Sequence, residues 1–280
     1  MKKYGKIPIV AEGDCQAPFD VVHLDMIGLW QVRFSRGAKV ITKEIKALTM
    51  VDRATTWPKI VYAKSNDSEY LSKIFDKQWL CRYPGPKRVV HDNSGKFTGF
   101  EFQEMCSNFG IKTVPTTVKN PQSNLTAKRM HLTIGDMLRT MTFSGENWEN
   151  EMETALQSAT LAIRSTVSTM SGYTPAQMVF SKNMIMQLAV TANWEKVKQL
   201  KRQAAKTANE RKNCLRVKYE YSKGDKILIL VKNNGVASKL ASPTEGPHEI
   251  LKVYGNGTIK IKRGSYDKVI NIRMVKPFHV

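Results

Sequence analysis

Cysteine is scarce and scattered in this chain. Cys15, Cys81, Cys106 and Cys214 are the four cysteines in 280 residues and form no Cys-x-x-Cys pair, so neither a zinc knuckle nor a disulfide framework is indicated and reduced structural thiols are expected. Long apolar runs are missing as well. No stretch approaches the roughly 20 residues of a membrane span, and Met1-Lys2-Lys3-Tyr4-Gly5-Lys6 is not followed by a signal-peptide core. A soluble, intracellular protein is expected. Internal repeats and low-complexity segments are absent. Acidic residues are the last shortage: 24 Asp and Glu stand against 44 Lys and Arg, a formal charge of +20. Such an excess implies a polyanionic partner, with nucleic acid the leading candidate.

What the chain does have is apolar material for a core. With 280 residues, 41% of them hydrophobic, it is not a disordered chain and is long enough for more than one domain. Its charge is uneven. Residues 1–190 carry 24 basic and 17 acidic side chains against 20 and 7 in residues 191–280, so the last third holds most of the excess.

Pro8, Gly13 and Pro18 make residues 1–18 an extended lead-in. Three strands rich in β-branched residues follow, over Val21–Ile27, Ile45–Val51 and Lys59–Ala63. Ser68–Tyr83 reads as a helix, with Tyr70, Leu71, Ile74, Phe75 and Leu80 at helical spacing and Pro84-Gly85-Pro86 as its stop. A strand at Val89–His91, a helix over Phe97–Phe109 and a strand at Ile111–Val114 come next. Two longer helices then run from about Ser123 to Met141 and over Trp148–Thr166, the second with Trp148, Met152, Ala155, Leu156, Ala159, Ala162 and Ile163 on one face.

Two carboxylates stand out against this background. Asp25 lies inside the apolar run Val21-Val22-His23-Leu24-Asp25-Met26-Ile27-Gly28, and Asp92 ends Arg88-Val89-Val90-His91 before the turn-rich Asn93-Ser94-Gly95. An unpaired carboxylate is costly at such places. Each taken singly is equally an acid at a strand end, satisfied by backbone donors or a nearby base. Asp52, before Arg53, suits a turn or ion-pair role. Glu101 and Glu104 follow on the next helix, with side chains expected to face solvent. Downstream, Asn120-Pro121-Gln122-Ser123-Asn124 opens a helix, and Lys128 stands 36 residues after Asp92.

The order of three strands, helix, strand, helix, strand resembles a ribonuclease-H-like core. The spacing of Asp25, Asp92 and residue 128, with Asn120-Pro121-Gln122, resembles the Asp, Asp, Glu motif of integrases from retroviruses and gypsy-type long-terminal-repeat retrotransposons. In that family the third acid is a Glu followed by Arg, and here the pair is Lys128-Arg129. Ser171-Gly172-Tyr173-Thr174-Pro175-Ala176-Gln177-Met178-Val179-Phe180 matches a segment near the end of gypsy-type cores. Asp92-Asn93-Ser94-Gly95-Lys96-Phe97 resembles an Asp-Asn-Gly-Gly-Glu-Phe pattern with two changes. A zinc domain of the His-His-Cys-Cys type would, by the resemblance, precede Met1; a truncated product, a processed fragment and a copy that lost its 5′ portion remain open.

The resemblance implies Mg²⁺ or Mn²⁺ as cofactor, held by Asp25 and Asp92, with a third ligand from position 128 and 3′-end processing and strand transfer as the chemistry. Lys128 removes an oxygen ligand and adds a cation, which puts metal binding in this chain in doubt. An ammonium about 4 Å from a carboxylate gains roughly 4 kcal/mol at an effective dielectric near 20. Lys128 is therefore expected to lie against Asp25 and Asp92 as a substitute counter-ion.

The expected fold is an α/β ribonuclease-H-like core, a mixed five-stranded sheet with helices over residues 19–190, then a basic helical linker over 191–218 and a small all-β SH3-like barrel over 219–280. Short strands at Lys226–Val231, Glu249–Tyr254, Thr258–Lys262 and Val269–Val275, with an Asn256-Gly257 hairpin signal, carry the last part. Glu245-Gly246-Pro247-His248-Glu249-Ile250 resembles the Gly-Pro-Tyr/Phe module of gypsy-type elements, with His248 at the aromatic position. DNA is the expected partner, with no membrane and no small-molecule substrate; a homo-oligomer and a nuclear location are implied by resemblance. Lys119, Lys128, Arg129, His131 and Arg139 would surround the DNA groove of the core, and Lys252, Lys260, Lys262, Arg263 and Lys268 would serve the barrel. Each is equally an ordinary surface side chain. Three readings stay open: a catalytically defective DNA-binding integrase, an active polynucleotidyl transferase with a substitute ligand, and a host-adopted DNA-tethering or scaffold protein.

Overall fold

β-Branched and aliphatic residues fit a pleated, half-buried surface, and the two segments richest in them form the centre of the sheet. The computed structural model describes residues 3–6, 17–36, 39–116, 125–141, 143, 147–186, 188–230, 244–264 and 266–278. The described chain forms two units, one holding residues 17–116 and 125–198 and the other residues 3–6 and 199–278. The first strand, β1 (Lys3–Tyr4), belongs to the second unit.

The larger unit begins with β2 (Val21–Arg36) and β3 (Lys39–Asp52), an antiparallel pair much longer than the sequence signals at their ends. A bulge separates the apolar signal from the extension: Gly28 pairs with Lys46, Trp30 with Ile45, and Leu29 is the extra residue. Gly28 has φ +114°, and a Cβ there would stand 2.3 Å from the Ile45 carbonyl oxygen. Strand β4 (Pro58–Tyr62) adds antiparallel to β3 after a turn built on Asp52.

Helix α1 (Ser68–Phe75) passes into a π-helical turn, Asp76–Leu80, which buries Trp79. Strand β5 (Arg88–His91) pairs parallel with β2. The next helical stretch is two helices, α2 (Gly95–Thr98) and α3 (Phe100–Asn108), because Gly99 is extended between them and its Cβ would meet Ser68 Oγ at 2.5 Å. Strand β6 (Lys112–Pro115) completes the sheet in the order β4-β3-β2-β5-β6. Antiparallel pairs at one side and parallel pairs at the other give the mixed five-stranded, ribonuclease-H-like arrangement.

Helices α4 (Leu125–Thr140) and α5 (Trp148–Ser165) cover one face of this sheet. Met130, Ile134 and Leu138 of α4 recur every four residues and pack with Ile27, Ile45, Met152 and Leu156. The other face packs Val22, Leu24, Leu48 and Val89 against Leu71, Phe75, Trp79, Phe97 and Phe102. Helix α6 (Pro175–Phe180) starts with a reciprocal cap: Thr174 Oγ1 accepts from the Gln177 N–H and the Gln177 side chain accepts from the Thr174 N–H. Helix α7 (Trp194–Asn213) follows.

The smaller unit holds β7 (Arg216–Val217), β8 (Lys226–Leu230), β9 (Thr244–Tyr254), β10 (Thr258–Arg263), β11 (Tyr266–Asn271) and β12 (Val275–Pro277). The expected lead-in contributes here, since β1 pairs in parallel with β7 and Arg216 donates to the Tyr4 and Gly5 carbonyls. The Gly255-Asn256-Gly257 hairpin joins β9 to β10, with Asn256 Oδ1 accepting from the Thr258 N–H and hydroxyl.

The expected SH3-like barrel is not formed. The sheet runs β11-β10-β9-β8-β12, and no ladder among the described residues joins edge strand β11 to edge strand β12. Side-chain packing takes the place of closure: Ile270, Ile272 and Val275, from the edge strands and the 3₁₀ turn Ile272–Met274, share a core with Ile227, Ile250, Ile259 and Ile261. Antiparallel ladders and one apolar face are enough to bury these residues, and the alternation of Ile with Lys along the strands is the same for an open sheet and a barrel.

Gly28→Ala combines a left-handed backbone with a clash against the Ile45 carbonyl, and should cost on the order of 3 kcal/mol. Gly85→Ala, with nothing within 4 Å of its Cβ, should change stability by less than about 1 kcal/mol. Urea unfolding midpoints of the two variants check the contrast.

Candidate nucleic-acid interface and the acid pair

Strand alternation sends successive side chains to opposite faces. Leu24 packs under α1 to α3, so Asp25 belongs to the face covered by α4 and α5, as does Ile27. On β5, Val89 packs under α1 to α3 and His91 lies against Phe97 and Phe102, so Asp92, next in the chain, turns to the same face as Asp25. The parallel register pairs Val21 with Arg88, Val22 with Val89 and His23 with Val90. That ladder ends at His23 and Val90, so Asp25 lies two residues past its last pair on β2 and Asp92 directly follows the end of β5.

The environment of Asp25 is built from β3 and α4. Thr49, buried and opposite Asp25, donates its hydroxyl to the Asp25 carbonyl oxygen at 2.9 Å. Its one proton being engaged there, Thr49 Oγ1 accepts from His131 Nε2 at 3.0 Å. The side chain of His131 thus joins α4 to the strand pair at the level of Asp25. Position 128 precedes His131 by three residues and so lies one turn earlier on the same helical face.

Asp92 has a denser set of contacts. Ser94 Oγ donates to Oδ1 at 2.6 Å, and Lys96 Nζ stands 3.5 Å from Oδ2. Ser94 occupies the N-cap position of α2 without capping it, because its hydroxyl is turned to Asp92. His91 Nδ1 donates to the Asp92 carbonyl oxygen at 2.7 Å, and burial holds the His91 imidazole below its ordinary pKa, in the neutral form.

A basic side chain does sit against Asp92, and among the described contacts it is Lys96. The side chains of Lys128 and Arg129 lie outside the described residues, as does the whole of Lys119. Glu101 and Glu104 are exposed. No group of three or more His, Cys, Asp or Glu among the described residues could hold a metal. Among the described residues the donor set does not fit a pair of Mg²⁺ ions: it offers the carboxylates of Asp25 and Asp92, and the second of these faces the Lys96 ammonium.

Beside the acids runs a cleft of about 310 Å³ between β2 and α4, lined by Met26, Gly28 and Trp30 on one side and His131, Leu132 and Arg139 on the other. Arg139, in the last turn of α4, is paired with Asp136. In the smaller unit, Ile259 and Ile261 face the core, so Lys260 and Lys262 share the outer face of β10, and Lys260 pairs across the ladder with Lys252. Lys252 Nζ lies 5.4 Å from the Tyr254 ring centroid. Lys260 contacts Asp267 at 2.7 Å, and Arg263 makes a two-pronged bond to Glu245 at 2.9 and 2.8 Å. Lys262 is exposed, and Lys268 is half-buried on β11.

Asp52 takes the turn role. Fully buried, it accepts from the Phe19 N–H at 2.9 Å and from the Thr55 N–H and hydroxyl at 2.8 and 2.5 Å. Burial outweighs these donors and raises its pKa above the ordinary 3.8. The Lys96 contact and the Thr49–His131 link had weak sequence signals: four-residue spacing from Asp92 for the first, none for the second.

No protein-family model matches the chain. A retrovirus-related Pol polyprotein from transposon TNT 1-94 of Nicotiana tabacum is 31% identical over 126 residues, which is 44% of this chain and 9% of that protein. The chain thus spans about a tenth of the curated relative's length. A chain of the simian T-cell lymphotropic virus intasome, in complex with PP2A regulatory subunit B56 gamma, superposes with TM-score 0.63 at 16% identity, covering 100% of this chain and 84% of that one. The catalytic core domain of BIV integrase gives TM-score 0.42 at 16% identity, over 57% of this chain and 93% of that domain. The fold is that of the intasome chain. No described helix is long and apolar enough to cross a membrane.

A raised carboxylate pKa has a stability consequence of definite sign. The contribution of Asp52 is complete below its ordinary value of 3.8 and is lost as pH rises through the higher folded value. Urea unfolding across that window should show wild-type stability falling relative to Asp52→Asn as pH rises; a rising difference would refute the assignment.

Proposed function

We propose that this chain is a retroelement integrase-like protein that binds DNA through its positive charge and does not carry out metal-dependent cutting or joining. The observation that carries the reading is the Asp92 carboxylate, just past the end of the parallel β2–β5 ladder of the mixed sheet and engaged by Ser94 and Lys96. With Lys at position 128, the site has the ancestry of a phosphoryl-transfer centre and lacks its ligands. The Ser171–Phe180 and Glu245–Ile250 segments support a gypsy-type ancestry. The proposed division is a core over 19–190, a basic helix over 191–218 and a C-terminal DNA-binding unit over 219–280, acting in the nucleus.

Phosphate contact depends on summed charge rather than on one constellation. It therefore survives the change of a catalytic ligand. Lys252 and Lys262 are the best placed cations of the outer face, since Lys260 already faces Asp267; Arg263 is engaged by Glu245. In the core, Lys119, Lys128, Arg129 and Arg139 are the proposed contacts, with His131 fixing α4 to β3.

Duplex DNA affinity should fall steeply with salt, by roughly a thousandfold between 50 and 200 mM if about six phosphates are contacted. Lys262→Gln should lower the slope of log affinity against log salt by about 0.9, and Arg263→Gln by less. A salt-independent affinity would contradict the electrostatic reading. In a strand-transfer assay with Mg²⁺ or Mn²⁺ on matched DNA ends, the unmodified chain is expected to give no product; robust joining would establish an active transferase with a substitute ligand.

A further inference from the structure

We infer that Lys96 is the resident cation of Asp92, neutralising it and keeping a divalent ion off it independently of residue 128. The inference rests on the integrase-like reading above and concerns the same site. Both Asp92 oxygens face donors, Oδ1 the Ser94 hydroxyl at 2.6 Å and Oδ2 the Lys96 ammonium at 3.5 Å. The lysine is held in place. Its side chain is 20% exposed, whereas the lysines of the surface pairs with Glu149, Glu69 and Asp20 are 58%, 72% and 75% exposed.

One further contact holds the ammonium there. Its Nζ lies 5.4 Å from the centroid of the Phe97 ring, and Phe97 is fully buried against His91 and Phe102. A divalent ion approaching Asp92 would have to displace the ammonium and turn away the Ser94 hydroxyl, two obstacles that restoring Glu at position 128 leaves in place. The prediction is that the site carries two separate lesions, and that repairing either one alone does not recover metal binding.

The test is Mn²⁺ titration calorimetry on the full chain in four forms: unmodified, Lys128→Glu, Lys96→Gln with Lys128→Glu, and Lys96→Met with Lys128→Glu. Methionine keeps an unbranched stem over Phe97 and removes the charge. Thermal unfolding checks that each form is folded. Both double variants should bind Mn²⁺ at least about tenfold tighter than Lys128→Glu alone, as expected when a neighbouring ammonium is removed. Lys73→Gln with Lys128→Glu, which removes an equal charge from the exposed Glu69 pair, should match Lys128→Glu. A smaller gain in the double variants, an equal gain from Lys73→Gln, or tight binding by the unmodified chain would each overturn the inference. Strand transfer by the unmodified chain would overturn the functional reading itself, whereas a silent Lys96 would leave that reading standing.

Discussion

Three backbone pairs, Val21 with Arg88, Val22 with Val89 and His23 with Val90, tie the antiparallel half of the core sheet to its parallel half. Everything at the acid pair depends on that short parallel ladder. A slip of one residue would send Asp25 to the face under α1 to α3, into a cluster of Leu71, Phe75, Trp79 and Phe102. The apolar residues on both faces therefore specify the register, and the register in turn specifies which charged groups meet. Helix α4 is held against the same strands by Met130, Ile134 and Leu138, with the Thr49–His131 bond fixing its level relative to Asp25.

Electrostatics makes different demands for holding a divalent ion and for gripping a polyanion. Coordination of a divalent ion demands several oxygen donors converging on one point, and loss of a single donor or arrival of a single ammonium disrupts it. Gripping a polyanion demands only an excess of positive charge over a surface. The outer face of β9 and β10 illustrates this tolerance. Lys260 is neutralised by Asp267, yet Lys252 and Lys262 remain on the same face of a strongly cationic chain. The catalytic demand is thus fragile to substitution, and the binding demand is robust.

The positions of the helices and strands were largely legible from periodicity, since Met152, Ala155, Leu156 and Ala159 recur at helical spacing and are buried together. Boundaries set by backbone geometry were less so. The β2–β3 pair extends well past Ile27 through a bulge at Gly28 and Leu29, which shifts the alternation by one residue so that Ile27 before it and Trp30 and Val32 after it join the same core cluster. Gly99 splits one expected helix because Ser68, distant in sequence, occupies the space a side chain would need. In the C-terminal unit the expected strand Val269–Val275 is divided between β11, a 3₁₀ turn and β12, and the expected closed barrel is an open sheet. Alternation reports which face of a strand is buried and carries no information on whether the outermost strands meet.

By itself the sequence determined the strong positive charge, the acids Asp25 within an apolar run and Asp92 at the end of one, and the order of elements that carries them. These are properties of the chain read in one dimension, and periodicity with residue chemistry suffices for them. Only the tertiary structure decided which cation faces Asp92, that Thr49 links Asp25 to His131, and that the smaller sheet stays open. Those outcomes turn on distances of a few ångströms between residues brought together by register and packing, and no local pattern encodes them.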